Sequence, residues 1–297
     1  MGLQAINLKV VAITITIGAA IAVMSFLHYD ALTDYRSLGQ TRVLVGDAYA
    51  NMLTLRRNEK DFLTRKDLQY SQKFVENYKK TIEHLQMLRS NMHENDMEVI
   101  QLNQLVKHFD SYKNGFLALV ELQKEIGLSH QDGLYGSMRD AIHQVEDLLI
   151  NRPHNQLNKD MLMLRRREKD FMLRNDIRYI GKFDEDMSVM RKDLSRAYLH
   201  PEVRRRISTA LAAYEKDFKA LVSATEKKGF SSNEGIHGEM RRSVHQAERI
   251  LEELRQESLL AIGHAGSYLI TQIAVFAGIL ILLMITLVFL PTKKHNR

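Results

Sequence analysis

The chain has 297 residues, 45% apolar and 26% charged, with no cysteine and a formal charge of +6. That balance excludes a disordered polymer, and the missing thiols exclude disulfides, thiolate metal sites and cysteine nucleophiles. The basic residues are interleaved with Asp and Glu instead of forming a stripe with stacking aromatics, which argues against nucleic acid as a partner.

Residues 1–9 precede an uncharged apolar run, Val10 to Leu27, close to the minimum length for crossing a bilayer. The run is longer than a usual signal core and has no convincing small-residue cleavage site, so a retained membrane span over 10–28 is expected. Near the other end, Tyr268 to Leu290 carries no formal charge and predicts a second span over 267–290. Pro291 ends it, and Lys293, Lys294 and Arg297 in the short tail 291–297 favour the cytoplasmic side. Both termini then lie in the cytoplasm, and residues 29–266 lie outside it.

Between the spans one stretch occurs twice. Met52 to Asp67 reads MLTLRRNEKDFLTRKD; Met161 to Asp176, 109 residues later, reads MLMLRRREKDFMLRND, identical at eleven of sixteen positions. The match continues through Tyr70/Tyr179, Lys73/Lys182 and Phe74/Phe183. Val45, Ala48, Met52, Leu55, Glu59 and Phe62 recur at steps of three and four, the spacing of a helix packing seam; Leu157, Met161, Leu164, Glu168 and Phe171 repeat it. Glu59 and Glu168 thus fall on apolar seams, where each needs a cationic or hydrogen-bonding partner or a proton.

The periodicity predicts a first helix from about Asp30 to Met92 and a second carrying Leu102, Leu105, Phe109, Tyr112, Phe116 and Leu119. A glycine loop, a third helix with Met138, Ile142, Val145 and Leu149, and an interruption at Pro153 lead to a fourth helix with the second motif. Pro201 suits the first position of a fifth helix, with Ile207, Leu211, Tyr214, Phe218 and Leu221 in line. A sixth, with Met240, Val244, Ala247, Leu251 and Leu254, runs into the second span. Tyr112, Phe116, Met138, Arg139 and His143 match Tyr214, Phe218, Met240, Arg241 and His245 at an offset of 102. The expected fold is therefore all-α: six helices from an internal duplication, arranged as two stacked four-helix bundles flanked by two transmembrane helices.

RRNEKDFL and RRREKDFM, one in each half of a helical region between two membrane spans, resemble the signature of helical bimodular sensor domains. These occur in bacterial methyl-accepting chemotaxis receptors and some sensor histidine kinases, and the resemblance covers about residues 30–266 with both spans. It implies two stacked helical bundles in the periplasm, anchoring in the bacterial inner membrane, a homodimer, and recognition of small organic acids such as tricarboxylic-acid-cycle intermediates or acetate. Seven residues follow Leu290, too few for a receptor's methylation helices, so the expectation is a sensor segment of a longer receptor, a truncated gene product, or a stand-alone sensor that needs a separate signalling chain for output. A different class of function is a periplasmic interaction module that binds a partner protein or modulates another receptor by mixed dimerisation.

Arginine suits a carboxylate ligand because its planar guanidinium donates two parallel hydrogen bonds and stays charged. Arg56, Arg57 and Lys60 are expected at one anion site, and Arg165, Arg166 and Lys169 at a related one. Arg139 with His143, and Arg241 with His245, sit one helical turn apart and face these sites from neighbouring helices. The rival reading is a buried ionic network that fixes helix register. No metal site is expected from the dispersed histidines, no cofactor from any motif, and no catalysis, since paired acids lack a nucleophile or phosphate loop.

Overall fold

The structure is a computed structural model that describes residues 2–95, 97–150 and 154–289; Pro153 and the tail 291–297 lie outside the described residues. Those residues form eight helices and no strand: α1 (Gly2–Arg65), α2 (Leu68–Glu94), α3 (Ile100–Ile126), α4 (Gly133–Leu149), α5 (Asn155–Arg174), α6 (Arg178–Arg196), α7 (Pro201–Lys228) and α8 (Gly235–Phe289). Every seam residue named above is buried, from Val45 and Phe62 in α1 to Leu254 in α8.

The expected unbroken helix from Asp30 to Met92 is corrected in two ways. The helix begins far earlier, at Gly2, and it stops at Arg65. Lys66 takes the left-handed conformation (φ 54°) and its N–H donates to Phe62 O at 2.7 Å, which closes the helix end. Asp67 then caps α2, its Oδ1 accepting from Gln69 N at 2.9 Å. The second copy repeats this: Asn175 is left-handed (φ 49°), its N–H donates to Phe171 O, and Asp176 Oδ1 accepts from Arg178 N. Tyr70 lies between Arg65 and Lys73, and Tyr179 between Arg174 and Lys182, as cation–π pairs. The far end of the duplicated motif therefore encodes a turn, and each repeat supplies four helices where three were expected.

The helices divide into two compact units. One comprises Met1–Ala50, Thr81–Gln104 and Glu248–Arg297. There α1 and α2 run antiparallel, joined by a polar layer in which Thr41 Oγ1 donates to Asn91 Oδ1 and Asn95 Nδ2 donates to Ser37 Oγ at 2.8 Å. The helices covering Thr14–Arg65 and Gly235–Leu283 are long and apolar enough to cross a membrane. Their apolar side chains, among them Ile15, Phe26, Ile270 and Leu282, are exposed, as a lipid-facing surface would be.

The other unit comprises Asn51–Lys80 and Leu105–Ala247. Here α4 packs on α7, α5 on α6, α4 on α5 and α6 on α7, a closed ring around one core. Phe183, fully buried, stacks on Phe218 with centroids 4.0 Å apart and meets Tyr214 at 5.6 Å. Phe74 stacks on Phe116 in the same way at 4.1 Å. Between α4 and its preceding loop, Gly133 is left-handed, and a Cβ there would meet Glu125 O at 2.4 Å, so only glycine fits.

Across the α5/α6 hairpin Arg167 Nε donates to Asp186 at 2.8 Å. Two turns nearer the open end the same register sets Asp160 opposite Asp193. Asp160 is 6% exposed, its Oδ1 accepts from Gln156 Nε2 at 2.9 Å, and its buried Oδ2 has no donor among the described residues. Burial, then the neighbouring Asp193, holds its carboxyl above the usual carboxylate range. The folded chain thus binds this proton more tightly than the unfolded chain. The associated stability is full below the ordinary Asp range and is lost as pH rises through the elevated value. Asp160→Asn, which lets an amide donate to Asp193, should stabilise the protein by about 1 kcal/mol at pH 7. Thermal melts should show the gain disappear near pH 4.

Candidate functional site

At its C-terminal end α1 turns Glu59 inward. The side chain bridges two environments: Oε2 accepts from the buried Tyr112 hydroxyl at 2.5 Å, and Oε1 from the Lys60 ammonium at 2.9 Å. Glu168 repeats the bridge, with Tyr214 at 2.6 Å and Lys169 at 2.7 Å. Each seam carboxylate thus acquires both kinds of partner that burial demands. Burial first, and then the facing glutamate, push the Tyr112 and Tyr214 hydroxyls far above the usual tyrosine value, so both remain donors.

Beside each bridge is a cavity. The first, about 290 Å³, has Arg56, Glu59 and Lys60 of α1 on one wall and His237, Arg241 and His245 of α8 on the other. The second, about 620 Å³, sets Arg165, Glu168 and Lys169 of α5 against Tyr135, Arg139 and His143 of α4. Eight of the ten residues expected at anion sites therefore gather into two cavities, and each cavity pairs a helix of one repeat with a helix of the other.

Arg57 and Arg166 do not join them. Both are exposed, and Arg166 faces Asp170 at 3.9 Å. Successive helix residues are about 100° apart, so a doubled arginine cannot place both guanidiniums on one wall.

Cations outnumber carboxylates at both cavities. The first has Arg56, Lys60 and Arg241 against Glu59; the second has Lys66, Arg139, Arg165 and Lys169 against Glu168. Arg241 donates to Ser232 Oγ at 3.0 Å and to His245 Nε2 at 3.3 Å. Arg165 reaches Glu146 at 3.6 Å, and His143 Nδ1 lies 3.0 Å from the same carboxylate. Arg139 has no acidic partner among the described residues.

Several wall residues escaped the sequence reading. Tyr135 and His237 hold equivalent positions in the duplication but share no chemistry, which hid them. Tyr112 and Tyr214 were legible as core, yet their hydroxyls are the donors that fix Glu59 and Glu168. Burial, and then the charge of Lys228, hold the His237 imidazole below its ordinary value; Glu59 opposes this and Lys60 adds to it. Comparison with protein-family models, curated proteins and solved structures gives no match.

Proposed function

We propose that this chain is a membrane sensor of the helical bimodular type, in which two repeat-related cavities bind small carboxylates. The observation that carries the reading is the duplicated cavity itself, with its guanidinium, its ammonium and a second cation from a facing helix in excess of the carboxylates present. Two carboxylate oxygens fit the fork of an arginine, and an anion offsets the surplus charge of the wall. The ring of α4 to α7 supports one four-helix bundle, and the duplication of its motif in α1 supports a second of the same kind. The two apolar helices support anchoring in a bacterial inner membrane with residues 29–266 in the periplasm, as a homodimer that acts on a separate signalling chain.

Ligand would signal by favouring one packing arrangement, since binding shifts an equilibrium only through differential affinity. Titration calorimetry of the detergent-solubilised chain with acetate, succinate and citrate tests the reading. Arg56→Ala and Arg165→Ala should each weaken binding at one cavity by roughly ten- to hundredfold. Unchanged binding with a lower melting temperature would make these arginines structural. Retention of a second protein while no acid binds would favour an interaction module.

A further inference from the structure

The two cavities share wall helices by descent but differ at the rim. Lys66 lines the larger cavity, although it belongs to the other repeat's motif, as the left-handed residue that ends α1. Its ammonium lies 5.2 Å from the ring centroid of Tyr135, another wall residue. Its counterpart by the duplication, Asn175, does not line the smaller cavity, and Tyr135 is replaced there by His237. The larger cavity thus receives a cation from both copies of the motif, and its twin from one copy only.

The surroundings of Lys66 leave it short of negative charge. Among the described residues it has no carboxylate partner. The half-buried Lys228 is close enough that, after burial, Lys66 is the next cause holding that ammonium below the ordinary lysine value. A like charge therefore flanks Lys66, and Arg139, Arg165 and Lys169 line the cavity into which it extends. The turn holds its backbone, and the face of Tyr135 supplies a shallow resting place, worth about tenfold or less in population. An anion within the larger cavity would be a better partner than anything now beside it.

We propose that Lys66 is a ligand-contacting residue of the larger cavity, a clamp supplied by the first copy of the motif that closes on an anion held between α4 and the second copy. The inference rests on the carboxylate reading and adds to it a physical link between occupancy of the larger cavity and the hairpin turn that joins α1 to α2.

The test uses the full chain in detergent, titrated calorimetrically with succinate. Lys66→Gln should weaken binding at the larger cavity by roughly ten- to hundredfold, the effect of losing one charge-assisted hydrogen bond, and Lys66→Arg should restore most of it. Lys66→Gly serves as the folding control, because glycine accepts the left-handed turn without steric cost while lacking the side chain. It should match Lys66→Gln in affinity with no loss of melting temperature. Arg165→Gln in parallel separates the two claims. If it abolishes binding while the Lys66 variants bind as the parent does, the clamp is overturned and the carboxylate reading stands. If Arg165→Gln changes nothing, or the parent binds no succinate, both are overturned.

Discussion

Phe183→Ala should destabilise the protein by about 3–5 kcal/mol, the range for deleting a buried phenylalanine from a packed core. Phe183 is fully buried, stacks on Phe218 at 4.0 Å and approaches Tyr214 at 5.6 Å. Removing the ring forfeits its transfer free energy and leaves a hole between α6 and α7. The surrounding helices close such a hole only in part, because they are held in the ring of α4 to α7. Tyr214 would also lose a wall that holds its hydroxyl on Glu168. Chemical denaturation followed by circular dichroism should show a lower midpoint at an unchanged slope. A loss under about 1 kcal/mol would mean that the aromatic cluster does not organise this core.

Tyr214→Phe is the second large effect, at about 2–3 kcal/mol, although it removes a single oxygen. Glu168 is 6% exposed, and its Oε2 accepts from that hydroxyl at 2.6 Å. Without the donor, one buried carboxylate oxygen keeps its desolvation cost and loses its compensation, while Lys169 still serves the other oxygen. Adding Glu168→Gln should recover much of the loss, because the buried formal charge is then gone as well. The same cycle on Tyr112 and Glu59 should give a similar coupling, as the two bridges are built alike. Additive effects in the double variant would refute this account.

Much of the fold was legible in the sequence because the apolar seams are long and interrupted only where the chain turns. The periodicity through Leu102, Phe109 and Phe116, and through Ile207, Tyr214 and Phe218, located α3 and α7, and Pro201 marked the start of α7. The hairpin turns were missed. Lysine at 66 gives no sign of a left-handed conformation, and helix-compatible residues flank it. Asn175 followed by Asp176 was the available signal, since asparagine tolerates that conformation and aspartate caps the next helix. Arg56, Lys60, Arg165 and Lys169 were identifiable because a doubled motif beside a buried glutamate is unusual. Lys66 and Tyr135 were not, because their meeting depends on a reversal that only the tertiary structure reveals.

Chain order separates the two cavities in one further respect. Apart from Lys66, the walls of the larger one come from an uninterrupted segment between residues 127 and 228, within which α4 to α7 close on themselves. The smaller one is walled by α1 and α8, from opposite ends of the polypeptide. The larger therefore depends mainly on one continuous stretch of chain, whereas truncation into either α1 or α8 dismantles the smaller.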